Sequence, residues 1–397
     1  MSGRDDPHRR TLEVYERRAR DWERVRSPGL DPARELTELL AGGPSDGRPV
    51  VVDLGCSPGW HLPVLPAGAI ALDGAAAMLD LVPRHAPDAP RVRADLRALP
   101  FGAGSVDAVW ADRSLVHLQR SLVPMALWDV HRSLRVGGRL CMSLFEDDRE
   151  HAPIDGDDFP GRSFSGWDET LLRAVVEGAG FDLELLERVV RGEAVELLRV
   201  WARRARTLAD TVGPGMRLLL VGLNPSLVAA DAGVGFHRAG NRAWPALLAA
   251  GLATVDRDPW HLLEHHRIGM TDLVKTASPR ADSLTAAQYA HGIERLDALC
   301  AWLQPAAVCI VGLSGWRAAV DRRAVVGDQS RTLGGRPVYV MPNPSGVNTH
   351  ASLDDLTRHF AAAARLADHS AARLADQSAA RLADERADRG DSGRAPA

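Results

Sequence analysis

The chain has 397 residues, of which 45% are hydrophobic and 25% charged, and its formal net charge is −4. This length predicts two or three domains, and the composition is that of a globular protein with a large core. No stretch approaches the roughly 20 apolar residues of a membrane helix, and the charged N-terminus lacks an apolar signal-peptide core. The four cysteines lack the paired spacing of a metal site. We therefore expect a cytoplasmic enzyme with no metal site and no membrane partner.

Strand-like and helix-like stretches alternate from residue 50 to about residue 203. Such alternation predicts a parallel α/β sheet flanked by helices. The first predicted strand ends in a glycine-rich turn, "DLGCSPGW" at residues 53–60, where the backbone can approach a ligand closely. The second ends at Asp73, where a carboxylate can accept hydrogen bonds from both hydroxyls of a ribose. A third strand precedes Asp95.

This series of motifs resembles the class I S-adenosylmethionine-dependent methyltransferases, over roughly residues 10–203. The resemblance implies S-adenosylmethionine as cofactor and a Rossmann-like α/β domain. The cofactor-binding positions that it implies are Asp53, Gly55 and Gly59 in the glycine turn, Asp73 at the ribose and Asp95 at the adenine amino group. It also implies an N-terminal helix with Tyr15 and Trp22 facing the cofactor. Ser57 stands where the middle glycine is commonest, and the methyl acceptor is left open.

A polar stretch with glycine and proline at residues 204–215 separates this half from a second α/β alternation that begins at Met216. The predicted organisation is a methyltransferase-like domain at 1–205, a linker at 206–214, a second three-layer α/β domain at 215–366 and a tail at 367–397. Three octapeptides, beginning with "ARLADHSA", cover residues 364–387. Because an eight-residue repeat rotates around a helix, its leucines form no single stripe. We expect a solvated, disordered or partly helical tail, with an interaction segment as the alternative.

Two apolar strands of the second domain stop on the same three residues, Asn-Pro-Ser, at 224–226 and at 343–345. In open α/β sheets, ligands bind at the carboxyl ends of the strands. The side chain of Asn224 can orient a water through its carbonyl oxygen but cannot take a proton to a useful extent. Such a residue suits a reaction whose leaving group departs largely by itself, as uracil does when its N-glycosidic bond breaks.

Two further features of the second domain fit a flipped base. Phe236 lies on a loop after the first strand end, and its ring is a natural platform for a flat base. Ser345, Gly346 and Val347 form a loop bounded by proline and glycine, and an apolar tip of this kind can enter a duplex from the minor groove.

Three segments carry a second resemblance: "GLNPSLVAADAGVGFHRAGNRAW" at 222–244, "GMTDLVKTASPRADSL" at 269–284 and "MPNPSGVN" at 341–348. In this order they resemble the mismatch-specific uracil/thymine-DNA glycosylase family. The roles that the resemblance implies are water positioning for Asn224, base stacking for Phe236, support of the pocket wall for Asn241 and a DNA wedge for Ser345, Gly346 and Val347. No carboxylate stands beside Asn224 in the chain, and no cofactor is implied.

The predicted activity is excision of uracil from a G·U mismatch, or of a related damaged pyrimidine, by a monofunctional DNA glycosylase. The glycosylase is fused to an S-adenosylmethionine-dependent methyltransferase. Its partner is double-stranded DNA that contains the lesion, with Arg238 and Arg242 as phosphate contacts. Lys275 is placed in a structural loop, so no amine nucleophile is expected. In the alternative hypothesis the second domain only binds or senses damaged DNA, and the methyltransferase half carries out the chemistry.

Overall fold

The computed structural model describes residues 7–26, 31–41, 48–191, 195–279, 283–346 and 348–391. The chain divides into two compact units, Met1–Asp210 and Thr211–Ala397. Among the helices in these ranges, none is long and apolar enough to cross a membrane.

The first unit alternates strands and helices over most of its length. In chain order they are α1 (Pro7–Val25), α2 (Asp31–Ala41), β1 (Val51–Leu54), β2 (Ile70–Asp73), α3 (Ala76–Leu79), β3 (Arg91–Arg93), β4 (Val106–Asp112), α4 (Val123–Ser133), β5 (Leu134–Phe145), α5 (Glu169–Gly178), β6 (Phe181–Arg191) and β7 (Val195–Arg204). Short 3₁₀ turns lie at Val82–Arg84, Leu115–His117 and Arg120–Leu122.

The strands of the first unit form one sheet in the order β3-β2-β1-β4-β5-β7-β6. Neighbours from β3 to β5 pair in parallel, whereas β7 is antiparallel to both β5 and β6. Every residue of β1 is buried, as expected for a central strand covered on both faces. The chain moves outward from β1 to β3 and then returns to β4, so the carboxyl ends of β1 and β4 flank a crevice.

The second unit has its own five-stranded sheet. Its elements are β8 (Leu218–Gly222), α6 (Leu227–Ala232), α7 (Ala243–Ala249), α8 (Pro259–His266), β9 (Ile268–Asp272), α9 (Ala286–Leu303), β10 (Ala307–Val311), α10 (Leu313–Ala319), β11 (Gly327–Asp328), β12 (Val338–Met341) and α11 (Leu353–Asp391). The order is β11-β12-β10-β8-β9, parallel except for the short edge strand β11. The order reverses between β8 and β10, which places the ligand crevice at their carboxyl ends.

Helices cover both faces of the second sheet. On one face α7 and α11 pack on the strands, with Trp244, Leu247 and Phe360 in the core. On the other face α9 and α10 pack on the strands, with Leu296 and Trp316 in the core. The prediction of two α/β domains, one Rossmann-like, is therefore confirmed.

The end of the second unit differs from the sequence-based expectation of a tail that separates at residue 367. Helix α11 continues without interruption, and both Ala367 and Ser370 are buried. Arg217, just before β8, forms a bidentate ion pair with Asp368 at 2.7 Å. The first octapeptide is thus part of the packed unit, because its small alanine side chains let the helix lie against the core.

Candidate functional site

The first unit contains a cavity of about 440 Å³ at the carboxyl ends of β1, β2 and β4. Of the five positions assigned to a cofactor from the sequence, Gly55, Asp73 and Asp95 line this cavity. Asp53 and Gly59 belong to the same glycine turn but do not line it. The structure therefore gathers the predicted positions at one strand edge and brings three of them to the cavity wall.

The glycine turn is tightly closed. Gly55 has φ 74°, and a Cβ atom on it would lie 2.4 Å from the Cβ of Ser114, so only glycine fits there. Ser57 has φ 51°, in the left-handed region that favours glycine, and its backbone N–H donates to Asp73 at 3.0 Å. The turn therefore stores backbone strain at Ser57.

Asp73 is a buried carboxylate, 8% exposed. Its burial raises its pKa to about 6, although hydrogen bonds from the backbone N–H groups of Ala75 and Ser57 oppose the rise. Burial also raises the pKa of Asp53, and the nearby Asp112 and Asp73 carboxylates add to the effect. Among the described residues, the Asp53 Oδ2 atom has no hydrogen-bond partner. The crevice thus concentrates carboxylates that a cationic or hydroxyl-bearing ligand would satisfy.

Asp95 is already paired within the protein. Both of its carboxylate oxygens accept hydrogen bonds from the Arg97 side chain, at 2.7–3.2 Å. His8 of α1 lies 3.6 Å away. Although burial raises it, the interactions with His8 and Arg97 hold the pKa of Asp95 well below its usual range. The Asp95 carboxylate is therefore ionised and held in place by Arg97, and any further donor at this position would have Arg97 as a neighbour on the same carboxylate.

Helix α1 contributes Tyr15 and Trp22 to the cavity wall, as the sequence predicts for a helix beside the cofactor. The Tyr15 hydroxyl accepts a hydrogen bond from Arg162 at 2.8 Å and donates one to His117 Nε2 at 2.8 Å. His117 Nδ1 must carry the proton, because it contacts the carbonyl oxygen of Ser163 at 3.0 Å. Burial lowers the pKa of His117 to about 3, so this imidazole stays neutral and orients Tyr15.

In the second unit, the first Asn-Pro-Ser corner is bonded to the connection that follows β9. The β8–β9 pairing extends past both strands: Leu273 N donates to Gly222 O at 2.8 Å, and Ser278 N donates to Pro225 O at 3.0 Å. The Asn224 amide nitrogen donates to Thr276 O at 3.0 Å and to Ser278 Oγ at 2.8 Å.

These bonds fix the rotamer of the half-buried Asn224 side chain. Among the described residues, no donor reaches its carbonyl oxygen Oδ1. That oxygen is therefore the atom with which Asn224 can accept a hydrogen bond from a water.

Phe236 and Asp272 meet at the end of β8. A Cβ atom on Gly222 would lie 2.3 Å from Asp272 Oδ1, so the missing side chain of Gly222 makes room for that carboxylate, whereas Phe236 Cζ, at 3.5 Å, would be in ordinary contact. Phe236 has φ 57°, an uncommon backbone conformation for a bulky residue. The indole of Trp244 donates to Gly235 O at 2.8 Å and so holds the preceding residue in place. Strain of this kind is often found at ligand sites.

Sequence reasoning missed Asp272, which is 8% exposed. The neighbouring strand β9 brings Asp272 to the same edge of the sheet, opposite Gly222. The available signal was an acidic residue at the end of the apolar run "IGMTD", residues 268–272.

Asn241 and Arg242 support neighbouring backbone. Asn241 Oδ1 accepts from the N–H of Ala243 at 2.9 Å, where α7 begins. The Arg242 guanidinium, predicted to contact a phosphate, instead donates to the carbonyl oxygens of Ser345, Asn348 and Ala351 at 3.1, 2.6 and 2.5 Å. Positive charge in the sequence does not show which way a side chain turns, and a phosphate contact of Arg242 stays a prediction. Arg238 is exposed.

The second Asn-Pro-Ser corner closes on itself. Asn343 Oδ1 accepts from Ser345 N at 2.9 Å, and Asn348 Nδ2 donates to Asn343 O at 2.7 Å. Gly346 packs so closely on Gly240 that a Cβ atom on it would lie 2.6 Å from Gly240 O. Ser345 and Gly346 are thus in a shaped loop beside the 238–242 segment, whereas Val347 lies outside the described residues.

Two family models match the chain. Residues 209–366 match the uracil DNA glycosylase superfamily, and residues 52–142 match a methyltransferase domain. The chain joins a methyltransferase domain to a uracil DNA glycosylase superfamily domain. We call these the methyltransferase domain and the glycosylase-superfamily domain.

Several solved methyltransferase structures resemble the methyltransferase domain. The 1,6-didemethyltoxoflavin-N1-methyltransferase of Burkholderia thailandensis, solved with S-adenosylhomocysteine, is 21% identical over 52% of this chain and 93% of its own, with a TM-score of 0.40. The magnesium protoporphyrin IX methyltransferase of Synechocystis, also with S-adenosylhomocysteine, is 17% identical over 50% and 100%, with a TM-score of 0.41. A Mesorhizobium loti methyltransferase is 23% identical over 44% and 100%, with a TM-score of 0.35.

The two domains offer different chemistry at their strand ends. The methyltransferase domain presents buried carboxylates at a glycine turn. The glycosylase-superfamily domain presents the oriented amide of Asn224, the ring of Phe236 on a strained backbone and the buried carboxylate of Asp272. Within the part of the chain that the structure describes, no group of three or more His, Cys, Asp or Glu side chains is arranged to hold a metal ion.

Proposed function

We propose that the glycosylase-superfamily domain hydrolyses the N-glycosidic bond of uracil in double-stranded DNA and prefers mismatched pairs such as G·U. The observation that carries the proposal is the fixed amide of Asn224. Its nitrogen is bonded to Thr276 and Ser278, so its Oδ1 can hold a water beside the sugar of a flipped nucleotide. Proximity of this kind is sufficient where the base leaves as a stabilised anion. No cofactor enters this reaction.

The residues around Gly222 would receive the extruded base. Phe236 stacks on its face, and stacking on an aromatic ring tolerates any flat base. Asp272 is a buried carboxylate that can accept an N–H group of the base, and its charge favours the oxocarbenium-like sugar of the transition state. Mismatched pairs are preferred because unpairing costs least there.

The test is excision from a G·U duplex, followed by hot alkali to cut abasic sites, with A·U duplex and single-stranded uracil DNA run in parallel. Asn224→Ala is the matched inactive control. Absence of cleavage on all three substrates would refute the proposal. Tight binding of uracil DNA without any turnover would instead support a damage-sensing domain.

We also propose that the methyltransferase domain binds S-adenosylmethionine at the glycine turn, with Asp53, Gly55, Gly59, Asp73 and Asp95 as the binding positions. Two observations support this cofactor: Gly55, which has no side chain, lines the cavity so that a ligand can approach its backbone, and Asp53 Oδ2 is buried without a partner among the described residues. Asp73 would accept the ribose hydroxyls. When bound, the cofactor supplies the methyl group. Calorimetric titration with the full chain tests the assignment, and a wild-type protein that shows no binding heat contradicts it.

The methyl acceptor fits a small molecule better than a nucleic acid. The cavity wall carries five aspartates and three arginines: Asp73, Asp95, Asp112, Asp157, Asp158, Arg26, Arg113 and Arg162. Because most of these aspartates are paired with arginines, the wall has only a small acidic excess, and its described residues offer no basic surface of the kind that binds a phosphodiester chain. Helix α1 and the residue after it are hydrogen-bonded to the 158–163 segment across the cavity. Thr11 Oγ1 accepts from Ser163 N at 3.0 Å, and Arg26 pairs with Asp158 at 2.9 Å. With labelled cofactor, label should enter small molecules of a cell extract; label in DNA or RNA would contradict this.

A further inference from the structure

Arg242 joins the segment behind Phe236 to the loop of the second Asn-Pro-Ser corner. We propose that Arg242 is a positioning residue that holds the backbone of residues 344–346 and 348–351 in shape for opening a DNA duplex. The inference rests on the proposed excision of uracil and assigns to Arg242 a role other than phosphate contact.

One residue holds four backbone carbonyl groups of this loop. The Arg242 backbone N–H donates to Pro344 O at 3.0 Å. Its guanidinium reaches three more carbonyl oxygens, those of Ser345, Asn348 and Ala351, at 2.5–3.1 Å. The planar fork of arginine suits this spread of acceptors, which a single ammonium group cannot match.

The contacts tie the loop to the base-binding side of the site. Arg242 lies six residues after Phe236, immediately before α7. Gly346 presses on the backbone of Gly240, so the two segments touch at a second point. The loop around Ser345 and Gly346 therefore depends on Arg242 for its position relative to Phe236.

This dependence predicts an effect that is selective for duplex DNA. A base in a duplex must be unpaired and unstacked, and a side chain that fills the vacated space assists the step. A base in single-stranded DNA needs no such help. Loss of the Arg242 contacts should thus slow excision from duplexes and leave single-stranded DNA little affected.

The experiment compares the full-length wild type with Arg242→Ala and Arg242→Lys, by single-turnover excision from A·U duplex and single-stranded uracil DNA. For Arg242→Ala we expect the excision rate on duplex DNA to fall about ten- to a hundredfold, because a misplaced loop positions the reacting groups less well. The excision rate on single-stranded DNA should change by less than about twofold. Arg242→Lys should be intermediate. The matched control is Arg317→Ala, since Arg317 donates to the carbonyl of Ala324 at 2.8 Å, in the connection between α10 and β11, and should leave the ratio unchanged.

Hydrogen exchange of residues 342–351 provides a readout that does not require activity. Arg242→Ala should exchange faster there than the wild type, and Arg317→Ala should not. Unchanged exchange, or an equal fall on duplex and single-stranded DNA, would overturn the inference. A fall on both substrates with a reduced salt dependence would identify Arg242 as a phosphate contact instead. A wild type that excises nothing, with faster exchange in Arg242→Ala, would refute the proposed excision and retain the role of Arg242 in holding the loop.

Discussion

Acidification should weaken S-adenosylmethionine binding to the methyltransferase domain, because the Asp73 carboxylate has a pKa of about 6. Only the ionised carboxylate can accept a hydrogen bond from both ribose hydroxyls at once. At about pH 5 roughly nine in ten Asp73 side chains would be protonated in the free protein, whereas at about pH 8 almost none would be. If the ionised form alone binds, affinity falls about tenfold between these two conditions.

The assay is calorimetric titration of the full chain with S-adenosylmethionine from about pH 8 down to about pH 5, in two buffers that differ in ionisation enthalpy. Binding near the pKa of Asp73 should release protons, so the measured heat should depend on the buffer. Asp73→Asn should bind more weakly at high pH and lose the pH dependence. Asp53→Asn is run beside it, since burial raises the pKa of Asp53 as well. A wild-type affinity that stays constant over this range, or an unaltered profile in Asp73→Asn, would refute the reasoning.

The same pKa has a consequence for stability without the cofactor. Because the folded-state pKa of Asp73 lies above its unfolded value, its contribution to stability is fully present below the unfolded value and is lost as pH rises through about 6. The difference between the two pKa values corresponds to at most about 3 kcal/mol above that pH. Relative to wild type without cofactor, the melting temperature of Asp73→Asn should therefore increase as pH rises through about 6, although Asn can accept only one of the two backbone N–H groups that Asp73 accepts.

Four further substitutions test the two sites. Asn224→Ala should lower uracil excision by roughly 10²–10⁴-fold, with DNA affinity nearly unchanged, as measured by single-turnover cleavage and by binding isotherms. Phe236→Ala should weaken capture of the flipped base by about 1–3 kcal/mol, seen as a loss of kcat/KM. Lys275→Ala should leave base release intact, and a borohydride-trapped adduct that this change abolishes would overturn the water mechanism. Ser57→Gly should raise the free energy of unfolding by about 0.5–1 kcal/mol, because it removes the left-handed strain and costs only some chain entropy; chemical denaturation measures it.

The sequence predicted the fold class and both family resemblances because each depends on local order along the chain. Apolar runs ending at Asp73 or just before Asn224 mark strand ends, and the sheet brings such ends to one edge whatever the surrounding residues are. The position of the helix with Tyr15 and Trp22 was implied by the resemblance to methyltransferases. The roles assigned to the individual site residues stay predictions.

What the sequence could not show depends on contacts between distant segments. Asp272 reaches Gly222 because β9 pairs with β8, and no pattern around Asn224 indicates that neighbour. Arg242 is a basic residue between the two Asn-Pro-Ser corners, and its hydrogen bonds go to carbonyl groups more than a hundred residues later in the chain. Ser226, the last residue of the first Asn-Pro-Ser corner, caps α6: its Oγ accepts a hydrogen bond from Ala229 N at 3.2 Å.

The long helix α11 packs on the core through its first part. Its buried face reaches Ser370, and from there the described side chains as far as residue 376 are partly or fully exposed. The helical backbone nevertheless continues to Asp391, which adds about 30 Å of rod. Each octapeptide contributes about 12 Å of that length and turns the rod's end by about 80°. Gain or loss of the later repeats would therefore change the length of the helix and the direction in which its last turn faces, while the first repeat stays joined to the glycosylase-superfamily domain through the Arg217–Asp368 pair.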